Sequence, residues 1–184
     1  WRVLMRLAAG IALVALLGAC ATSEQELPQT MQATEAGPPT EVSIMGNSGA
    51  EIGKATFTPA PQGVLIRILV PAGGLSPGWH GTHLHMVGDC SDTAKFQHAG
   101  GHIQTGNTNH GLLYIHGPEN GDLPNISAAG DGSAAAELFT SLITLSQLQD
   151  ADGSALVIHA NADDHVSQPI GNAGDRVGCA VVKN

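Results

Sequence analysis

Short apolar segments alternate with clusters of turn-forming residues along most of this chain: "EVSIMG", "EIGKATFTPA", "GVLIRILVP", "GTHLHMVG", "NISAAGDGSAAAELFT", "SALVIHA" and "RVGCAVV". Segments this short do not build a helical bundle; they suit the antiparallel strands of a sandwich or barrel. Composition points the same way, because Gly numbers 24 and Pro 10 while aromatic residues make up only 3%, a balance that favours turns and short strands. Within Val64 to Val70, "VLIRILV" alternates imperfectly, yet Arg67 inside the apolar run marks a strand with one wet face. "LSQLQDADG" is compatible with one short helical turn, and no internal repeat is present. An all-β domain is the expectation.

The first residues read as an address. Arg2 and Arg6 precede an apolar run from Leu7 to Leu17 that is too short to span a bilayer. The run ends in "LLGAC", where small residues precede Cys20, the pattern on which bacterial lipoprotein signals are cut and the new N-terminal cysteine lipidated. Residues 1–19 are therefore expected to be a signal peptide, with Met5 an alternative start. Residues 20–40, rich in Gln, Thr, Pro and Glu, form a tether that cannot bury enough surface to fold; residues 41–184 carry the domain. Cleavage leaves five basic and sixteen acidic residues, a net charge of −11 with His neutral, which argues against a nucleic-acid partner. The expected location is the bacterial periplasm, anchored by lipid to a membrane. Ala21 after Cys20 favours the outer one, and the lipid is the only expected membrane contact. With Cys20 lipidated, Cys90 and Cys179 remain as a pair that an oxidising periplasm permits to bond.

The polar chemistry lies in two long segments poor in strand signal. Residues 89–122 hold His98, His102, His110, His116, Glu119 and Asp122; residues 161–175 hold Asp163, Asp164, His165 and Asp175 and lead to Arg176. In a compact β domain, loops this long are usually functional or disordered. His83 and His85 stand two apart in an apparent strand, so both rings leave one face and can meet one ion. His80 points to the other face, and His159 closes the apolar run "SALVIHA". Imidazoles mixed with carboxylates suit zinc or copper rather than calcium or magnesium.

"WHGTHLHMVGDCS", "HAGGHI", "HGLL", "GDLPNI", "DGSALVIHANADD" and "GNAGDRVGCAVV" occur in an order and at a spacing that resemble the bacterial copper,zinc superoxide dismutases, over roughly residues 41 to 184. The resemblance implies a flattened eight-stranded Greek-key antiparallel β-barrel, akin to an immunoglobulin-like sandwich, with two long active-site loops. It implies disproportionation of superoxide to dioxygen and hydrogen peroxide, by a monomer or a homodimer. By position, copper would be held by His83, His85, His102 and His159, and zinc by His102, His110, Asp122 and residue 119. The family has His at that last position; here it is Glu119. Asp163 would accept hydrogen bonds from His83 and His110, Arg176 would orient the anionic substrate, and His102 would carry a proton during turnover. Cys90 and Cys179 match the family's disulfide. Thr82 stands where a bulky Phe is usual, and His80, His98, His116 and His165 are expected to bind no metal. A periplasmic copper-binding or metal-buffering protein with little or no dismutase activity is the alternative.

Overall fold

Strands form where apolar and polar residues alternate. In β3 (Gly63–Val70), Val64, Ile66, Ile68 and Val70 are buried while Arg67 and Leu69 face solvent, so the period hidden in the sequence is regular in space. Arg67 lies opposite Glu137 on the neighbouring strand, and the guanidinium donates two hydrogen bonds to that carboxylate at 2.5 and 3.1 Å. The computed structural model describes residues 37–184. The expected signal peptide, Cys20 and the tether as far as residue 36 lie outside the described residues.

The other strands are β1 (Thr40–Gly46), β2 (Glu51–Ala60), β4 (Gly78–His80), β5 (Thr82–His85), β6 (Ile126–Ala128), β7 (Ala134–Thr140), β8 (Ser154–His159) and β9 (Arg176–Val182). They make one antiparallel sheet in the order β4-β6-β7-β3-β2-β1-β9-β8-β5. β1 to β3 form a meander, and the placement of β7 beside β3 and of β9 beside β1 supplies the long crossovers of a Greek key. The two edge strands, β4 and β5, are halves of one extended stretch broken at Gly81. The sheet therefore nearly closes into a barrel, and among the described residues nine strands stand where eight were expected. Space restricts the dividing position to glycine: a Cβ on Gly81 would lie 2.9 Å from Ala173 Cβ and 3.2 Å from Asp163 Cβ. The Gly81 N–H donates to Asn161 O, and Gly81 O accepts from the His159 N–H. The barrel is thus fastened at the point where the loop after β8 crosses.

β8 is buried at every position. Leu156 and Ile158 join the barrel core, while Ala155 and Val157 pack outward against Phe96, Ala99 and the Cys90–Cys179 pair. The expected disulfide is present, with Cα atoms 5.9 Å apart, and it ties the loop after β5 to β9. "LSQL" forms the short helix α1 (Leu145–Leu148), started by a Thr144–Gln147 capping box. Among the described residues no helix is long and apolar enough to cross a membrane.

Candidate metal centre

The loop after β5 returns to that strand and extends the sheet with single bridges. His85 pairs with His102 and His83 with Asp122. The Leu84 N–H donates to Gly121 O, and the Ile103 N–H donates to Leu84 O. Gly121 permits this approach, since a Cβ there would lie 2.2 Å from Leu84 O. His159 enters from the end of β8, where a register shift after Ile158 places it opposite Arg176. Strand period brings His83 and His85 together, backbone bridging adds His102 and Asp122, and the bulge adds His159.

His83, His85, His102 and His159 are all buried, and their ligand atoms lie within 4.8 Å of one another. Each ring divides its nitrogens between two tasks. His85 Nδ1 donates to Gly100 O at 2.9 Å, His159 Nδ1 to Gly174 O at 3.0 Å, and His83 Nε2 to Asp163 Oδ2 at 2.8 Å. The remaining nitrogens, His83 Nδ1, His85 Nε2, His102 Nε2 and His159 Nε2, are buried without any hydrogen-bond partner. Buried polar atoms in folded proteins are otherwise almost always paired. Four unpaired lone-pair donors converging on one point fit a metal ion of the imidazole-binding kind. Burial pushes the His83 ring down to about 3 despite its Asp163 bond, and His159 to about 4. Burial likewise holds His85 well below its ordinary value. The lone pairs of these three rings are therefore free near neutrality.

A second set adjoins the first through His102. His83, His102, His110 and Asp122 also lie within 4.8 Å of one another, but the Nε2 of His83 is bonded to Asp163 and its Nδ1 belongs to the first set. Glu119 stands beside this set, with Oε2 2.9 Å from His102 Nδ1. Asp122 Oδ1 lies 2.7 Å from His110 Nδ1 and 3.6 Å from His102 Nδ1. Its Oδ2 accepts the N–H groups of Gly111 and Glu119 at 2.8 and 2.9 Å. Burial pushes His110 down, but bonds to Asp122 and Asp163 outweigh it and raise the ring to about 10. Asp122 and Asp163 move the other way: burial raises them, and their histidine hydrogen bonds hold both well below the usual carboxylate range. Imidazoles mixed with carboxylates are ordinary donors for zinc.

Asp163 joins the two sets. Its Oδ2 accepts from His83 and its Oδ1 lies 3.1 Å from His110 Nε2, as the resemblance implies. Arg176 is held in place by donating from Nη1 to Phe96 O at 2.6 Å and from Nη2 to Gly100 O at 2.7 Å. It shares with His159, Lys95 and Asp175 the lining of a cleft of about 940 Å³. His98 and His116 are exposed and outside both sets. Both ring nitrogens of His80 face carbonyl oxygens, those of Ser76 and His159. Thr82 is buried, with its hydroxyl donating to Pro124 O at 2.7 Å, so a polar anchor replaces the bulk of a Phe. His165, also outside both sets, has a side chain only 18% exposed, and its Nδ1 lies 3.4 Å from Asp163 Oδ2. Asn125, Gln168 and Gly171, which support Asp163 and His110, were not foreseen from the sequence. A "PNI" turn and a "QPIGN" loop carry no local sign of contact with residues far away in the chain.

An almost closed antiparallel barrel with a four-histidine set adjoining a histidine-carboxylate set through His102 defines a class of barrel metalloproteins. Residues 51–182 match the family described as copper/zinc superoxide dismutase (SODC). The chain is 48% identical over 147 residues to the superoxide dismutase [Cu-Zn] of Caulobacter vibrioides, covering 76% of this chain and 83% of that one. It is similar in structure to the Cu/Zn superoxide dismutase of Brucella abortus, with a TM-score of 0.66, 28% identity and coverage of 79% and 99% of the two chains. A SOD-like protein from Bacillus subtilis superposes with a TM-score of 0.69 at 32% identity, over 77% of this chain and 97% of that one. The chain belongs to the copper/zinc superoxide dismutase family, an oxidoreductase family whose cofactors are copper and zinc.

Proposed function

We propose that this domain converts superoxide to dioxygen and hydrogen peroxide, with copper held by His83, His85, His102 and His159 and zinc by His102, His110, Asp122 and Glu119. The observation that carries this reading is the set of four buried, unpaired ring nitrogens within 4.8 Å of one another. Copper, when bound there, supplies one-electron redox chemistry. The rest falls to the chain. Arg176, fixed by two carbonyls and open to the cleft, binds and orients the anion. Phe96, packed with Ala99 beneath the disulfide, keeps that guanidinium from swinging away. His102 is the one ring with a nitrogen in each set, and Nε2 is the atom at which it holds or gives up a proton. Asp163 orients His83 and His110 together. A copper-buffering protein has no use for a guanidinium fixed beside the cleft, which favours the enzyme.

The leader and Cys20 support export and lipid anchoring at the outer membrane, and the Cys90–Cys179 bond suits an oxidising compartment. The deciding assay measures superoxide consumption by the full chain loaded with both metals, by the metal-free chain, and by His85→Ala. Consumption by the loaded parent alone is expected. Equal rates in all three would sink the assignment. For the anchor, labelled fatty acid should enter the parent and not Cys20→Ser.

A further inference from the structure

Asp163 is the joint of the site, and its surroundings fix the state of a neighbour that the metal sets do not use. Asn125 grips the Asp163 backbone at both ends: its Oδ1 accepts the Asp163 N–H and its Nδ2 donates to Asp163 O, each at 2.8 Å. The amide orientation is therefore fixed. Its second Nδ2 hydrogen points to His165 Nε2, 3.2 Å away. A ring nitrogen that accepts carries no proton, so the single ring proton of His165 sits on Nδ1. That N–H is buried with no hydrogen-bond partner, and Asp163 Oδ2, already bonded to His83, lies 3.4 Å from it. The His165 backbone completes the attachment by donating to Asp163 Oδ1 at 2.6 Å and accepting from the Leu113 N–H at 3.1 Å. It holds φ at 61° to do so, a left-handed conformation uncommon for a residue with a Cβ and worth an explanation.

We propose that His165 is a positioning residue for the site. Asn125 fixes its tautomer so that a ring N–H stands beside Asp163 Oδ2, and with its own backbone N–H it keeps the carboxylate aimed at His83 and His110. The proposal rests on the metal assignments above and deepens them. When His83 moves, the unpaired His165 N–H, 3.4 Å from Oδ2, is the donor in reach, and the carboxylate does not turn away from His110. Loss of the ring lets Asp163 rotate, so His110 holds zinc less firmly. Partners of metal-bound histidines typically contribute 10- to 100-fold in affinity; a residue one step further out is expected at about the lower end of that range.

Two measurements test this on the full chain. Nitrogen-15 spectra of the metal-free protein should show His165 with a protonated Nδ1 and a bare Nε2; the opposite tautomer overturns the proposal whatever the variants do. Zinc release to a fixed chelator concentration should be about tenfold faster from His165→Gly, which removes the ring and relieves the left-handed backbone. In His165→Asn, which tolerates that backbone and retains a donor, release should return toward the parent rate. Equal release from the parent and His165→Gly overturns the proposal, as does release from His165→Asn as fast as from His165→Gly. Failure of the dismutase reading looks different, because a loaded parent that consumes no superoxide leaves the tautomer and the zinc kinetics as they are.

Discussion

An imidazole serves a metal only if its other nitrogen is occupied and its lone pair is kept from protons. Gly100, Gly174 and Asp163 provide the first condition for His85, His159 and His83, and burial provides the second. The same burial makes the metal-free protein sensitive to acid. His83 and His159 are depressed to about 3 and about 4, so the unfolded chain binds protons below about 6.5 that the folded chain refuses. Their stabilising contribution is present above about pH 6.5 and is lost as pH falls toward 4, at roughly 1.4 kcal/mol per pH unit for each ring at most. His110, raised to about 10, behaves oppositely: its contribution is complete below about 6.5 and fades as pH rises through 10. Thermal melts of metal-free protein should therefore show stability falling from pH 6.5 to pH 4.5, and a flat profile there would refute the assigned ring states. Glu119 stands where the resemblance implies a histidine. Its Oε2 faces His102 Nδ1, whereas His116 meets Tyr114 edge to face and is exposed. Mass spectrometry of loaded proteins should find zinc lost from Glu119→Ala and kept by His116→Ala; the reverse pattern would give the fourth position to His116.

At the scale of elements, two loops must be held against a barrel for the site to exist. The Cys90–Cys179 bond spans 89 residues, and closing a loop of that length stabilises by roughly 4 to 5 kcal/mol in the chain-entropy model. Reduction should lower the denaturation midpoint accordingly and free the Phe96 and Gly100 carbonyls that hold Arg176. Thiol titration finding both cysteines free in unreduced protein would remove the premise. Gly171 is the tighter constraint. It has φ +60°, and a Cβ there would lie 1.6 Å from Asp163 Oδ1 and 2.9 Å from His110 Nε2. Gly171→Ala should therefore displace both side chains and lower zinc content at least tenfold, with elemental analysis as the check. Strands with one wet face, such as β3, were legible in the sequence because Arg67 interrupts an apolar run. β8 was legible only as apolar, since Val157 and Ala155 are buried under a loop from elsewhere in the chain. The division of Gly78–His85 at Gly81 was not legible, because the neighbours that crowd Gly81, Ala173 and Asp163, lie far along the chain. The histidines could be read from strand period and spacing. Asn125, Gln168 and Gly171 could not: Asn125 meets Asp163 across 38 positions, Gln168 meets His110 across 58, and Gly171 is squeezed between His110, 61 positions away, and the nearer Asp163.

Over the whole molecule the charge opposes the substrate. Residues 37–184 hold thirteen acidic and five basic side chains, yet superoxide is an anion. At physiological ionic strength charges are screened beyond about 8 Å, so distant carboxylates count little and the groups at the cleft decide capture. Those groups are Lys95, Asp175 and Arg176. Arg176 is half-buried and pinned, so it acts at contact; Arg176→Ala should lower the rate about tenfold or more with copper content unchanged. Lys95 and Asp175 are exposed at the rim and act only through the field, with opposite signs. Lys95→Gln should slow superoxide consumption and Asp175→Asn should raise it, each on the order of two- to threefold at low salt. Both effects should vanish near 1 M salt, where the screening length falls to about 3 Å, while the loss in Arg176→Ala should persist. Stopped-flow rates across ionic strength separate these cases. If Asp175→Asn matches the parent at low salt, local charge does not govern capture, and the acidic surface as a whole must be weighed instead.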